Sequence, residues 1–465
     1  MARVPMREQL DHYLSADERK AWGRALRQDV PRTSHAIWEP PPNRRDPVSI
    51  LEAQIPDRIS SLIPLRHHRM SASPFAFYRG TAEMMADDLS STATTGMAVQ
   101  ACGDAHLSNF GLFGSPERSL VFDLNDFDET HPGPWEWDVK RLAASAVLLA
   151  RDNGWTPEIE VELALTAVRS YRVAMAEFAG MGRLDMWYSI KSLAEIRALV
   201  PAGAQKSLDK GLDKARANDH RRAIAKFTEV VDGRRRIVAQ PPTIQSLETI
   251  LGTDRAEGFR LRIANFFGEY LDSLPDHVRP LVLGFRVIDI ALKVVGVGSV
   301  GTRCMIVLVE GRDPQDLLLF QVKEAQTSAL APYVPPVGWQ SEGHRVVTGQ
   351  RLTQHASDIF LGWAQADRDF YLRQFRDMKG SVNPERMVPA GAKAYLEICG
   401  WTLARAHART GDRISISAYM GQSRTFDRAV ATFAQSYADQ AELDFEAFTD
   451  AIASGRLQSS PETET

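Results

Sequence analysis

Between residues 287 and 325 the sequence changes character. The run "VIDIALKVVGVGSVGTRCMIVLVEGRDPQDLLLFQVKEA" is rich in β-branched residues and is broken by Gly, Asp and Pro, which predicts consecutive antiparallel strands. It is followed by a helical segment, "SEGHRVVTGQRLTQHASD", and by two further strand-like pieces, "IFLGWAQA" and "RDFYLRQFRD". Long helical stretches stand on both sides of this block. Upstream are "WEWDVKRLAASAVLLARDNG", with Val139, Leu142, Ala143, Ala146 and Leu149 at helical spacing, "PEIEVELALTAVRSYRVAMAEFAG" and "RAEGFRLRIANFFGEYLDSL". Downstream are "KAYLEICGWTLARAHARTGD" and "TFDRAVATFAQSYADQAELDFEAFTDAI". A small antiparallel sheet set between helical segments must bury its faces against helices, so the fold class expected is α+β with two lobes.

The boundaries come from the same pattern. Residues 1–60, polar and proline-rich around "EPPPNRRDP", read as an arm or extended linker that wraps the body. Residues 61–280 form a helical lobe, 281–380 a β-rich lobe, 381–455 helices that return to the first lobe, and 456–465 a disordered tail. A chain of 465 residues exceeds what one compact core usually holds.

Composition excludes more than it suggests. With 44% hydrophobic and 25% charged residues the chain is neither disordered nor fibrous, and a net charge of −4 gives no basic excess for nucleic acid. Cys102, Cys304 and Cys399 are far apart and show no zinc or disulfide spacing, which fits a reducing cytoplasm. The amino terminus lacks a signal-like apolar core, and no uninterrupted apolar run is long enough to span a bilayer. The expectation is a cytoplasmic protein with neither membrane nor nucleic-acid partner.

Three motifs carry chemistry. In "GDAHLSNF", Asp104 and Asn109 stand five positions apart on a loop after the short strand "MAVQ". That is the spacing of a kinase catalytic loop, in which an aspartate orients a hydroxyl and an asparagine holds a metal; a capped polar turn is the plain alternative. In "VFDLNDFDETHPGPWEWD", Asp123, Asp126 and Asp128 follow an apolar strand, where carboxylates must be solvated by a turn or hold a hard cation such as Mg²⁺. In "GVGSVG", Gly296, Gly298, Ser299 and Gly301 precede Lys323 in "LLLFQVKEA". A dinucleotide fingerprint would need a helix after the glycines, whereas "TRCMIVLVEG" is strand-like, which favours a flexible phosphate lid with Lys323 meeting the phosphates. A lysine snorkelling to the surface is the plain counterpart.

Together these motifs supply the parts of phosphoryl transfer, but in an order opposite to that of an ordinary kinase. "RMSASPFAFYRG", "GDAHLSNFG", "VFDLNDFDE", "GPWEWDVKRLAAS", "GVGSVGTR" and "YMGQSRTFDRAVATFAQSYADQ" resemble a bacterial family known as domain of unknown function 2252, over residues 40 to 445. "GDAHLSNF" is in turn similar to the G-D-x-H-x-x-N loop of aminoglycoside and choline phosphotransferases, relatives of the protein kinases. That resemblance implies Asp104 as catalytic base, Asn109 as metal ligand and His106 as loop-shaping. It implies Asp126, twelve positions before Asp138, as the first choice of second metal ligand, with Asp123 the alternative.

The resemblance holds only if the kinase-like fold is circularly permuted, with residues 287–376 as nucleotide lobe and "RQFRDMKG" at the hinge that contacts adenine. Cys102 stands where those enzymes usually have histidine. The lysine's partner is unassigned between Glu342 and Gln350. Arg69 and Arg79 are candidates for an anionic substrate or for structural roles, and His407 reads as a packed helix residue.

The expected activity is an ATP- and Mg²⁺-dependent phosphotransferase acting on a hydroxyl of a small molecule or, less favoured, a protein. A pseudokinase or nucleotide sensor, a nucleotidyl (AMP) transferase and an NAD-binding oxidoreductase are the rivals. Neither the acceptor nor the oligomeric state is legible.

Overall fold

The computed structural model describes residues 14–241, 243–246, 266–294, 296, 298 and 300–461. Its centre of gravity is the helix Trp135–Asp152, in which every residue from Trp135 to Ala150 is buried. Three helices account for this burial: Pro157–Gly180, Pro389–Thr410 and Thr425–Ala453 pack around it and share one core with it. The sequence periodicity marks only one apolar face, so the polar side chains of this helix are enclosed too. The chain leaves it through Gly154, whose φ of 66° lies in the left-handed region that ends helices.

One of the enclosed residues is Lys140, whose ammonium lies 4.6 Å from the centre of the Phe433 ring. Burial, only partly offset by the Glu136 carboxylate, pushes its pKa from 10.5 down to about 7. Below about pH 7 both folded and unfolded chains carry the charge, and the full cost of burying it is present. Between that point and the ordinary value the unfolded chain alone holds the proton, so stability rises with pH. Lys140→Met is expected to stabilise the protein by several kcal/mol below pH 7, with the gain shrinking as pH approaches 10. Urea unfolding across that range checks it, and a gain that does not change with pH contradicts it.

The second lobe is a six-stranded antiparallel sheet. β7 (Ile244–Ser246), β8 (Arg286–Lys293), β9 (Cys304–Glu310), β10 (Leu317–Glu324), β11 (Gly362–Gln365) and β12 (Asp369–Gln374) are ordered β11-β12-β10-β9-β8-β7. β10 is buried throughout. Side chains alternate along a strand, so Leu318, Phe320 and Val322 face one core with Tyr270, Leu274 and Phe360, while Leu317 and Leu319 face another with Ala223 and Phe227. Gln321 and Lys323 continue the second row. The helix Glu342–Thr353 connects β10 to β11 and packs beside β11 and β12.

Two small sheets in the helical lobe carry the polar loops. β1 (Ala98–Ala101) pairs with β4 (His131–Pro134). β2 (Phe110–Gly114) lies between β3 (Leu120–Leu124) and β13 (Gly380–Ser381), so the segment leaving β12 is stitched back to the helical lobe. "GDAHLSNF" spans the gap from β1 to β2, and the carboxylate segment runs from β3 to β4.

Three expectations need adjustment. Within the helical lobe expected over residues 61–280, β5 (Thr228–Val231) and β6 (Arg234–Ile237) form a hairpin, and β7 joins the sheet. The Asp232–Gly233 dipeptide, both residues at positive φ, is a hairpin-turn signal that the flanking helical pattern obscures. Of "RAEGFRLRIANFFGEYLDSL", residues 266–273 are helical and 255–265 lie outside the described residues. The arm is not merely extended, since helices Ala16–Asp29 and Pro47–Ala53 flank "EPPPNRRDP" and bury Val48, Ile50 and Leu51. The start of the tail is also packed, with Leu457 buried and the Ser460 amide donating to the Pro64 carbonyl at 3.1 Å; residues 462–465 lie outside the described residues. Among the described residues no helix is long and apolar enough to cross a membrane.

Candidate functional site

The loop carrying Asp104 is fixed from beneath. Asp138, in the first turn of the helix Trp135–Asp152, accepts from the amides of Cys102 at 2.6 Å and Gly103 at 3.0 Å, and its Oδ2 lies 3.0 Å from His407 Nε2. His407 is fully buried and also meets the Tyr171 hydroxyl, so it is a packed anchor of the loop. Gly103 has φ of 79°, and a Cβ there would lie 2.2 Å from the Glu129 carbonyl oxygen, so glycine is required at this crossing of the two loops. Cys102 is buried, with Sγ 3.5 Å from the Asp126 carbonyl oxygen, and burial pushes its thiol far up.

Asp104 itself is held by Arg141, whose Nε and Nη2 lie 2.8 and 2.7 Å from Oδ1. Burial would raise its pKa, but the charges of His106 and Arg141 outweigh burial and hold it below the ordinary carboxylate value. His106 is driven down to about 4 by its own burial, so at neutral pH Arg141 is the permanent charge. Asn109 donates from Nδ2 to the Asp104 carbonyl at 2.7 Å and to its Oδ2 at 3.3 Å. That commits its nitrogen; among the described residues its amide oxygen accepts no hydrogen bond.

Lys323 approaches from β10 in the other lobe. Its Nζ lies 2.6 Å from Asp128 Oδ2 and 3.7 Å from Asp126 Oδ1, and the Tyr371 hydroxyl donates to Asp128 Oδ1 at 2.7 Å. Burial disfavours the ammonium, yet Asp126 and Asp128 overcome that and raise its pKa well above the ordinary value. The lysine's partner is thus Asp128, with Asp126 nearby, and neither Glu342 nor Gln350. Glu342 instead meets Arg345 Nε at 2.5 Å, and Gln350 donates to Gln354 at 2.9 Å. Asp126 is different again: its Oδ1 is buried with no hydrogen-bond donor, and burial plus the charge of Asp128 raise its pKa. An orphaned carboxylate oxygen beside a second carboxylate suits a hard cation.

Asp123 is not brought to the site. It accepts from Arg405 at 2.6 and 2.8 Å and from the amides of His355 and Leu124, and its burial within the core leaves no route to a ligand. As a candidate metal ligand it is replaced by a structural ion pair. The sequence places it on β3, and only the packing of the helix Pro389–Thr410 shows which face of the strand it occupies.

The glycine segment joins β8 to β9, so a strand and not a helix comes after Gly301, which removes the support for a dinucleotide fold. Gly296 and Gly301 have φ of 67° and 91°. The segment is clasped to the helical lobe: Arg69 donates to the Gly296 carbonyl at 2.8 Å, and Arg58 Nη1 to those of Gly298 at 2.8 Å and Val300 at 2.6 Å. Arg69 is therefore a loop clasp, whereas Arg79 borders the cleft. Ser299 lies outside the described residues.

Two adjoining cavities open between the lobes, and Asp126 and Gly296 line both. One, of about 620 Å³, is lined by Asp104, Asn109, Asp128, Glu129 and Gly298. The other, of about 870 Å³, is lined by Lys323, Gln350, Arg373 and most of the segment 373–380. Sequence reasoning misses Arg141 and Arg345, which have no local motif. Arg345, in the helix Glu342–Thr353, donates to the carbonyls of Asp128, Thr130 and Gln326 and so ties the carboxylate segment to the sheet lobe. Glu129 is likewise unmarked in the sequence; burial pushes it up to about 7. Among the described residues no group of three His, Cys, Asp or Glu side chains forms a metal cage.

No curated protein and no solved structure matches the chain. A family model described as "Uncharacterized protein conserved in bacteria (DUF2252)" matches residues 58–451, which include both loops, the glycine segment, Lys323 and the central core helices up to residue 451 of the last. The chain belongs to that bacterial family.

Proposed function

We propose that the protein is an ATP- and Mg²⁺-dependent phosphotransferase with a circularly permuted, kinase-like arrangement of lobes. The observation that carries this reading is the meeting of Lys323 with Asp126 and Asp128 beside the cavity that Asp104 and Asn109 line. The order within the sheet lobe supports it as well. A glycine segment lies between the first two strands of a meander, the lysine on the third, and a helix comes next, which is the arrangement of a kinase nucleotide lobe.

The residues fit the metal. Asn109 and Asp126 would hold Mg²⁺, which commonly takes one or two protein oxygens and completes its shell with phosphates and water, so a closed protein cage is not required. When bound, Mg²⁺ supplies neutralisation of charge on the transferring phosphate. Lys323 and the Gly296–Gly301 segment hold the phosphates, and the backbone of residues 373–380 borders the space for the base. Asp104, ionised and steered by Arg141, accepts the hydrogen bond of the acceptor hydroxyl and orients it for attack.

Isothermal titration with ATP and Mg²⁺ tests the binding half. Lys323→Met is expected to weaken ATP binding tenfold or more, a loss of about 1.4 kcal/mol or greater. ATP that binds neither protein, or both equally, contradicts the proposal. The bidentate grip of Arg141 on Asp104 suits a second reading, a nucleotide sensor without turnover. In that case ATP binds, but no acceptor gains either the mass of a phosphate or that of AMP.

A further inference from the structure

The larger cavity is more cationic than seating one triphosphate at Lys323 requires. Lys226, in the helix His220–Phe227, Lys293, at the end of β8, and Arg376, just beyond β12, converge there from three separate segments. Their charged groups lie 5.4, 5.2 and 4.9 Å from the centre of one ring, that of Phe227. Lys293 and Arg376 also lie 5.9 and 5.6 Å from the Phe375 ring. Both rings are buried edge to face, so they back the cations and offer no platform for a base.

Among the described residues no carboxylate forms an ion pair with Lys226, Lys293 or Arg376. Asp219, in the helical wall of the cavity, caps the helix His220–Phe227 through the Arg222 amide, and Asp377 pairs with Arg118. Three like charges gathered without a counter-charge repel one another. Burial and then Arg376 hold the Lys293 pKa down to about 8. The backbone adds a second sign. Arg376 has φ of 55°, a left-handed conformation that costs a non-glycine residue free energy and that recurs at functional sites. Repulsion and strain in one place are explained if an anion completes the cluster.

We propose that this part of the larger cavity, two strands across the sheet from Lys323, is an anion subsite that takes a second phosphate group of a bound ligand. Two sources share that chemistry: a chain of linked phosphates, and a nucleotide bearing a further phosphate on its ribose. The subsite deepens the donor side of the phosphotransferase reading but stands without it, and its test reads binding alone.

Titration of the full-length protein at low salt uses inorganic tripolyphosphate, adenosine 3′,5′-bisphosphate and AMP. The wild type is expected to bind tripolyphosphate, and the triple variant Lys226→Gln, Lys293→Gln, Arg376→Gln to bind it at least tenfold more weakly. A nucleotide source gives adenosine 3′,5′-bisphosphate an advantage over AMP of tenfold or more in the wild type, and none in the triple variant. A phosphate-chain source leaves the two nucleotides alike and confines the loss to tripolyphosphate. Because like charges are removed, the triple variant is expected to melt no lower than the wild type. Lys226→Gln alone, at an exposed position, weakens binding about threefold and supplies a folded variant in any event, while Lys293→Arg with Arg376→Lys retains binding. No tripolyphosphate binding by the wild type, or equal binding by wild type and folded variants, overturns the subsite. Loss of ATP binding in Lys323→Met with the tripolyphosphate response intact separates this subsite from the proposed active site.

Discussion

Replacing Asp104 by Asn is expected to lower phosphoryl transfer by about 10²–10⁴-fold while ATP with Mg²⁺ still binds. The substitution keeps shape and removes the charge that Arg141 neutralises and that steers the acceptor hydroxyl. Asn also presents a nitrogen where the carboxylate presented an acceptor, so the hydroxyl loses the partner that orients it. The measurement is a split one: single-turnover transfer from ATP to acceptor, and ATP affinity by titration. Transfer at the wild-type rate removes Asp104 from its role, whereas loss of ATP binding moves its role to the nucleotide.

The pH profile has a defined sign. The Asp104 pKa lies below the ordinary carboxylate value because His106 and Arg141 overcome the effect of burial, so Asp104 is ionised throughout the neutral range. Transfer should not fall on its account as pH drops from 8 towards its ordinary carboxylate range near 4.

The largest effect on stability is expected at Arg405. Arg405→Met leaves the Asp123 carboxylate buried in the core with two backbone amides and no cation, and a broken buried pair typically costs about 3–5 kcal/mol. Arg405 also supports the Thr353 carbonyl at 2.9 Å, which is left with one donor fewer. Removing both charges with Arg405→Met and Asp123→Leu should recover most of the loss, because an apolar pair of similar volume carries no uncompensated charge. Chemical denaturation of the single and double variants reads this difference directly. A double variant as unstable as the single one shows that something other than the buried charge set the cost. If Asp123 instead served as a metal ligand, Arg405→Met would alter metal affinity at unchanged stability.

Much of the layout is local and therefore legible. The strand block at 287–325 announces itself by β-branched residues, and the apolar, β-branched run "TRCMIVLVEG" after the glycines marks them as a strand-to-strand turn between β8 and β9. Asp104 and Asn109 meet because five residues of tight loop leave them little choice, and Asp126 comes after its strand for the same reason. Burial of the helix Trp135–Asp152 is only half visible: spacing marks one face, but nothing local tells that Glu136, Lys140 and Arg141 are enclosed as well.

The sequence by itself determined the α+β character, the bacterial family and the residue types at the mouth of the cleft. The tertiary structure decided which charges meet. Lys323 takes Asp128 rather than a glutamate of the next helix, Arg405 withdraws Asp123 into the core, and Lys226, Lys293 and Arg376 gather around Phe227. Secondary structure arises from interactions among neighbours in the chain, which a sequence displays. An ion pair forms between groups carried on elements far apart in the chain, and its strength depends on distance and burial, which exist only after those elements pack.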